Sequence, residues 1–535
     1  MKRLIFAIYI LFCLCLPCFS QADYNINLDY KQINALAAKQ SLIPIRSGIP
    51  GLTPFWNKYS KQFTYAPAFD VAPIKGNVKY KFVATTDDST KYTFIASKPY
   101  SSLAPVWAKI PVGYVNLKIT ALNASGKEMA EIKSLRFYRA ATFHAPYQKP
   151  VTSYKESARR AIKYLFDKPY MQSWIEKAIP DTAAYHLYCY PSKMFSAVTE
   201  LMLNYARLSP TDHDNAMKIA TNAADYLIKI SEPADAPLAY FPPTYAGDGD
   251  NINNAAKRFR NQFMIFYPAH SANIYLDLYD ATKDERYKNA AIRIASTYQK
   301  IQETSGTWKL KIQSDGKPVT EVDCIPIEII QFLDRLSEQY GVKEYVTVRN
   351  KAYKWLWKNP MVTFNWSGQF EDVAPVAPYQ DLSKDEATAV ATYLFNHQKE
   401  NPSFIQKADE LLRYCEDQFV IWEKPIPLDK HRWPTPCVLE QYFCYTPIDA
   451  SVANLIGTYL NGYRATKNNL YLAKAIELAN SVTATQDANS GRYATFWTEG
   501  EKDANPDIID WLNCTSHIAR MMLAMDKLMN EISTK

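Results

Sequence analysis

The sequence predicts a mainly α protein, an (α/α)6 toroid of six helical hairpins preceded by a small β-sandwich. Three observations carry this. The hydrophobic period changes from two to helical near residue 150. One amphipathic helical pattern then recurs six times, starting near residues 154, 213, 284, 345, 403 and 468, about 55 to 70 residues apart. A second, more evenly apolar helical pattern lies between the copies, also six times.

The N-terminal "MKRLIFAIYILFCLCLPCFSQA" has a basic start, an apolar stretch and a small-residue exit at Ser20-Gln21-Ala22. That predicts a leader over 1–22 and export to the periplasm or the cell exterior. No later stretch is long and uncharged enough to read as a membrane span. Residues 23–145 read as the β-sandwich. "VKYKFVATTDD", "KYTFIASKP" and "VGYVNLKITAL" alternate apolar and polar residues, and "NASGKE" is a turn between strands. "HAPYQKP" is a linker, and the toroid occupies 150–533.

Within the toroid, "YKNAAIRIASTYQKIQ" and "YLAKAIELANSVTATQ" are two copies of the amphipathic pattern. One apolar stripe predicts an outer layer, and the apolar set, such as "SKMFSAVTELMLNYARL", an inner one. Short links such as "SPTDHD" and "TKDE" join an inner helix to the next outer one. Six pairs is the number that closes a ring. The alternative, an open solenoid, needs polar capping repeats, and none is visible.

Composition narrows the function. Hydrophobic residues make up 47% and aromatics 14%, enough for a large core. The net charge of +7 is scattered and includes Lys2 and Arg3 of the leader, so no nucleic-acid partner is expected. With 15 glycines and no phosphate-binding fingerprint, no nucleotide cofactor is expected. Six cysteines follow the leader without any C-x-x-C pair, which predicts buried thiols or local disulfides and no metal site.

A closed ring puts all six inner-helix N-termini at one end, where partial positive charge and unpaired N–H groups gather. The segments entering those helices are "YHLYCYPSK", "MIFYPAH", "TEVDCIPIE", "FEDVAPVAPYQDLSKDE", "VLEQYFCYTPIDAS" and "DIIDWLNCTSH". Each brings aromatic, acidic or other polar residues. Such a crown suits sugars, whose apolar faces stack on rings and whose hydroxyls meet acids.

The repeated hairpins and the "YLAKAIELANSVTATQ…GRYATFW" ending resemble the six-hairpin glycosidases, a group with unsaturated glucuronyl hydrolases, toroidal polysaccharide lyases and glucuronyl C5-epimerases. The resemblance is one of architecture and carries over no catalytic residue. It implies an enzyme acting on a polysaccharide or oligosaccharide, with an acidic, uronate-containing glycan favoured by it and by the basic residues of the crown.

Glycoside hydrolysis needs two carboxyls across the scissile bond. Asp372 and Glu440 are the expected pair, with Glu371 and Asp449 as further candidates. Helix capping is the competing role for Asp449 and Asp381. A lyase or epimerase would instead use Tyr190, His186 or His431 as base and acid. Trp366, Tyr188, Lys193, Asp381, Arg432, Trp433, Tyr442, Tyr445 and Trp511 are candidate substrate contacts. Glu416 and Asp417 close an outer helix, where acids oppose the dipole, which predicts a local structural partner. A glycan-binding protein without catalysis is the remaining class.

Overall fold

The computed structural model describes residues 24, 26–46, 59–72, 74–247, 254–374, 376–424, 433–497 and 511–534. The leader expected at 1–22 lies outside them.

The inner helices are Pro191–Leu208, Tyr267–Thr282, Ile327–Tyr340, Asp385–Asn396, Asp449–Thr466 and Leu512–Ser533. Each packs against the next, and the sixth packs against the first, so the ring is closed. Pro191 and Pro268 sit in the first turn of their helices, where the missing N–H costs nothing.

The outer helices are Tyr154–Phe166, His213–Lys229, Glu285–Ile301, Val346–Lys358, Ser403–Phe419 and Asn469–Thr485. Five of them pack on the inner helix before them in the chain. The first outer helix packs on the last inner one and so joins the two chain ends. Ser153 accepts from the Glu156 amide at 3.2 Å and caps that helix. Its Ala158, Ala161, Ile162 and Leu165 face the core, the i, i+3, i+4, i+7 stripe of a half-buried helix.

The N-terminal strands are β1 (Gln62–Phe63), β2 (Ala68–Asp70), β3 (Lys79–Thr86), β4 (Lys91–Ala96), β5 (Tyr100–Ser102), β6 (Gly113–Leu122) and β7 (Glu128–Arg139). Five form one sheet in the order β1-β7-β6-β3-β4. Tyr80, Phe82 and Ala84 of β3 and Val115, Leu117 and Ile119 of β6 point to one buried face. The second layer is only the β2–β5 ribbon, whose Phe69 stacks on Phe82 at 5.5 Å. The region is not wholly β: Tyr30–Ser41 is a helix that packs on the outer helix Asn469–Thr485. Its buried positions are Ile33, Ala37 and Ser41, a stripe too small to stand out in the sequence.

Sheet and ring are tied together at the residues closing the outer helix Ser403–Phe419. Glu416 accepts from Lys474 at 2.6 Å, Trp422 at 2.9 Å, Tyr459 at 2.9 Å and Tyr65 at 3.0 Å. Asp417 accepts from the amides of Thr64 and Tyr65 at 2.6 and 2.7 Å. Burial pushes the Asp417 carboxyl up to about 7, against the pull of these donors. The acids that oppose the helix dipole thus find their partners in the N-terminal sheet and a neighbouring helix.

Candidate active site

A cavity of about 1490 Å³ opens among the inner-helix N-termini and runs down the ring axis. Glu200, Asp277, Arg335 and Arg520, in the middle turns of their helices, reach its floor. It is larger than a pocket for one small molecule, which spans roughly 300–1,000 Å³. His186, Lys193, Glu371, Asp372, Glu440 and Trp511 all line it, so six of the expected residues from four separate segments meet there.

Glu371 is the fixed anion of the mouth. Lys193 donates to one carboxylate oxygen, and the Tyr267 hydroxyl donates to the other at 2.5 Å. Burial alone would raise its pKa, but Lys193 and these hydrogen bonds hold it below the usual carboxylate range. Its backbone is pinned as well. Its carbonyl accepts from Tyr245 at 2.5 Å and from Lys311 at 3.2 Å, and Lys311 also reaches the Val373 carbonyl at 3.1 Å. The Lys193 ammonium lies 4.5 Å from the Trp511 ring centre.

Asp372, one residue on, turns its exposed side chain into the cavity. The enclosing walls and the negative charge of Glu371 raise its pKa. Glu440 enters from another crown segment. Burial pushes it up to about 7, although Lys384 and the Cys444 thiol pull it down. Beside it, Lys384 forms an ion pair with Asp385 at 2.8 Å and donates to the Glu440 carbonyl at 3.1 Å. Glu386 also lines the cavity. Burial and the neighbouring Asp385 push it up to about 8, and its Oε2 has no hydrogen-bond partner.

The other expected residues have different positions. Tyr190 is fully buried between Tyr245 and Trp511 and does not line the cavity. The Tyr188 hydroxyl accepts from the Trp174 indole at 2.9 Å, which makes Tyr188 part of the packing between layers. Trp366 is buried edge-on to Phe364, and Trp433 is buried away from the cavity. Asp449 is buried in the first turn of its helix, where it accepts from the Ala450 amide at 2.7 Å; burial raises its pKa well above the carboxylate range. Asp381 accepts from the Phe443 amide at 2.9 Å and is pushed up to about 6 by burial. Tyr442 and Tyr445 donate to Gln418, and Lys61, beside β1, covers the Tyr445 ring at 4.3 Å. Through Gln418 and Lys61 the two buried tyrosines tie the crown to the N-terminal sheet, so neither is placed as a sugar platform. His431 and Arg432 lie outside the described residues.

Several lining groups were not anticipated. Phe443, next to buried Tyr442, is 53% exposed at the mouth. Deeper down, the His270 and His517 rings lie 6.2 Å apart. Burial and Arg520 push His517 down to about 3, so it is neutral. Glu200 accepts from Ser516 and meets Arg520 at 3.4 Å. The spacing of Asn513, His517 and Arg520, one helix face, is the sequence signal that could have found the deep group. Among the described residues, no group of His, Cys, Asp and Glu is arranged to hold a metal ion. Cys324, Cys415, Cys437 and Cys514 are buried thiols.

These carboxyls predict the stability profile. Glu386, Glu440 and Asp417 bind a proton more tightly in the fold than in the unfolded chain, where carboxyls titrate near 4. The unfolded chain therefore binds fewer protons at these groups, and stability falls as pH rises toward their folded values. The carboxyls' contribution falls from about pH 4 up to their folded values, but His517, lowered in the fold, opposes this below about pH 6.5, so the net drop in melting temperature is expected between about pH 6.5 and 8. Calorimetry at several pH values checks this, and a flat or rising profile would contradict it.

No protein-family model matches the chain, and no curated protein matches it. Solved structures do align. A family 76 glycoside hydrolase from a bovine Bacteroides thetaiotaomicron strain is 10% identical, with 85% of this chain and 94% of that one covered, at a TM-score of 0.45. An unsaturated glucuronyl hydrolase specific for heparin is 10% identical, over 71% and 99%, at 0.45. Cellobiose 2-epimerase from Spirochaeta thermophila is 13% identical, over 71% and 98%, at 0.46.

Proposed function

We propose that the chain is a carbohydrate-active enzyme that cleaves glycosidic bonds by acid/base hydrolysis, with Glu440 as the acid and Asp372 as the base or nucleophile. One observation carries this reading: carboxyls at a single cavity mouth sit in environments that push their protonation apart. Glu440, at about 7, keeps a proton to give near neutrality. Glu371 stays ionised beside Asp372. Its charge makes the neighbouring Asp372 the stronger base, so one mouth holds a proton donor in Glu440 and a proton acceptor in Asp372, the two roles that acid/base catalysis with two carboxyls needs.

Glu440 gives its proton to the glycosidic oxygen as the bond to the anomeric carbon breaks. Asp372, the exposed carboxylate, takes a proton from the attacking water or attacks the anomeric carbon itself. Glu371, tied to Lys193 and Tyr267, raises the basicity of Asp372 without reacting. Positive charge building on the sugar ring is stabilised by the acid-rich wall. Phe443 and Trp511 offer ring faces for the sugar's apolar side. Export, expected from the leader, suits a polymeric substrate.

A second reading is proton abstraction in a lyase or epimerase. It is favoured by the neutral His517 beside His270 on the cavity floor and by His186 at its mouth. The pH dependence separates the two. Hydrolysis with Glu440 as acid loses kcat/KM as pH rises through about 7, because the free enzyme's acid deprotonates. Release of reducing ends from glycans, followed across pH, tests this. A rate that holds constant or climbs from pH 6 to 9 would contradict it.

A further inference from the structure

The charge inside the cavity bears on the kind of sugar it takes, given the cleavage reading above. Among the described residues, eight carboxyl groups line it against four lysines and arginines. All four cations are already committed. Lys193 is bound to Glu371, Lys384 to Asp385 at 2.8 Å, Arg335 to Asp277 at 2.7 Å, and Arg520 to Glu200 at 3.4 Å. Among the described residues, no lysine or arginine forms a salt bridge with Glu328, Asp372, Glu386 or Glu440. Glu386 adds a shielded oxygen that no protein donor reaches. With Glu386 and Glu440 protonated, acids still outnumber cations in the lining.

We infer that the cavity takes glycans without acidic groups, uncharged or amino-bearing, and discriminates against uronates and sulfated sugars. A uronate carboxylate would enter a partly desolvated space of its own sign, where like charges repel far more than in water. To gain a described cation it would have to share or break one of the four existing pairs, which weakens the hold on the protein's own carboxylate. The neutral lining offers better partners. Gln331, Asn273 and Asn513 carry donors and acceptors that match hydroxyls, and the Asn513 Oδ1 has no protein donor. An amine would find Glu328 or Asp372 without displacing anything. The described basic residues of the crown, Lys193 and Lys384, are spent on the protein's own carboxylates and so give a uronate no free partner.

The test is calorimetric binding by the full-length mature chain at neutral pH, with a chelator present so that no divalent cation bridges like charges. The probes are cello- and manno-oligosaccharides, chitosan oligomers and oligogalacturonates of equal length, each at two salt concentrations. Reducing-end release is followed in parallel. Uncharged sugars are expected to bind with little salt dependence. Chitosan oligomers are expected to weaken as salt rises. Oligogalacturonates are expected to bind at least about tenfold more weakly than the uncharged set. Glu328→Gln, which removes one lining charge outside the proposed acid/base pair, is expected to narrow that gap. Oligogalacturonate binding equal to or tighter than the uncharged sugars would overturn the inference, and so would no binding of any probe. The expected charge order without any cleavage would sink the hydrolase reading and leave this one standing.

Discussion

Glu440→Gln is expected to lower turnover of a natural glycan by about 10²–10⁴-fold, the usual worth of a positioned acid. The substitution keeps the shape of the side chain and removes the proton. It leaves the neighbouring Lys384–Asp385 pair intact, because Lys384 contacts the Glu440 backbone carbonyl and not its carboxyl. The loss has a signature that misfolding lacks. An aryl glycoside with a good leaving group needs no protonation, so the variant should recover most of its rate on such a substrate. Asp372→Asn should lose activity on both substrates, because the base or nucleophile is needed whatever leaves. Equal losses for Glu440→Gln on both substrates would remove Glu440 from the acid's role.

The largest expected effect on stability lies away from the cavity. Glu416→Ala should cost about 3–5 kcal/mol, because it strands Lys474 as a buried charge. Both residues are at most 2% exposed, and Glu416 also satisfies the Trp422 indole and the Tyr65 and Tyr459 hydroxyls. Tyr65 follows β1, so the same change loosens the sheet from the ring. Urea unfolding measures the cost. The double variant Glu416→Gln with Lys474→Met should recover much of it, since no buried charge then remains unpaired. A single variant within about 0.5 kcal/mol of the parent would show that the pair does not hold the two parts together.

The ring was legible because its signal is repetitive. An outer helix expected near 213 begins at His213, and the one expected near 468 begins at Asn469. Polar and aromatic residues before each inner helix, with proline before five of the six, marked the mouth of the cavity. What the sequence could not convey was the direction of each side chain within a crown loop. Glu371 and Asp372 are neighbours, yet one is clamped inside and the other faces the cavity. Tyr442 is buried against the N-terminal sheet's side of the crown, while Phe443 is exposed at the mouth. A shift of one position reverses the assignment, and no local pattern fixes it. The pinning contacts from Tyr245 and Lys311 join segments 60 to 126 residues apart, which only the closed ring brings together. The same holds for the commitment of every cavity cation: composition counts lysines and arginines but not their partners.

Product analysis with the purified protein tests the central claim most directly. Neutral and acidic glycans would be incubated with the protein while new reducing ends and ultraviolet absorbance are recorded together. Hydrolysis by Glu440 and Asp372 predicts new reducing ends from a glycan without acidic groups and no rise in absorbance. A rise in absorbance, the mark of an unsaturated elimination product, or binding with no change in glycan length, would contradict it.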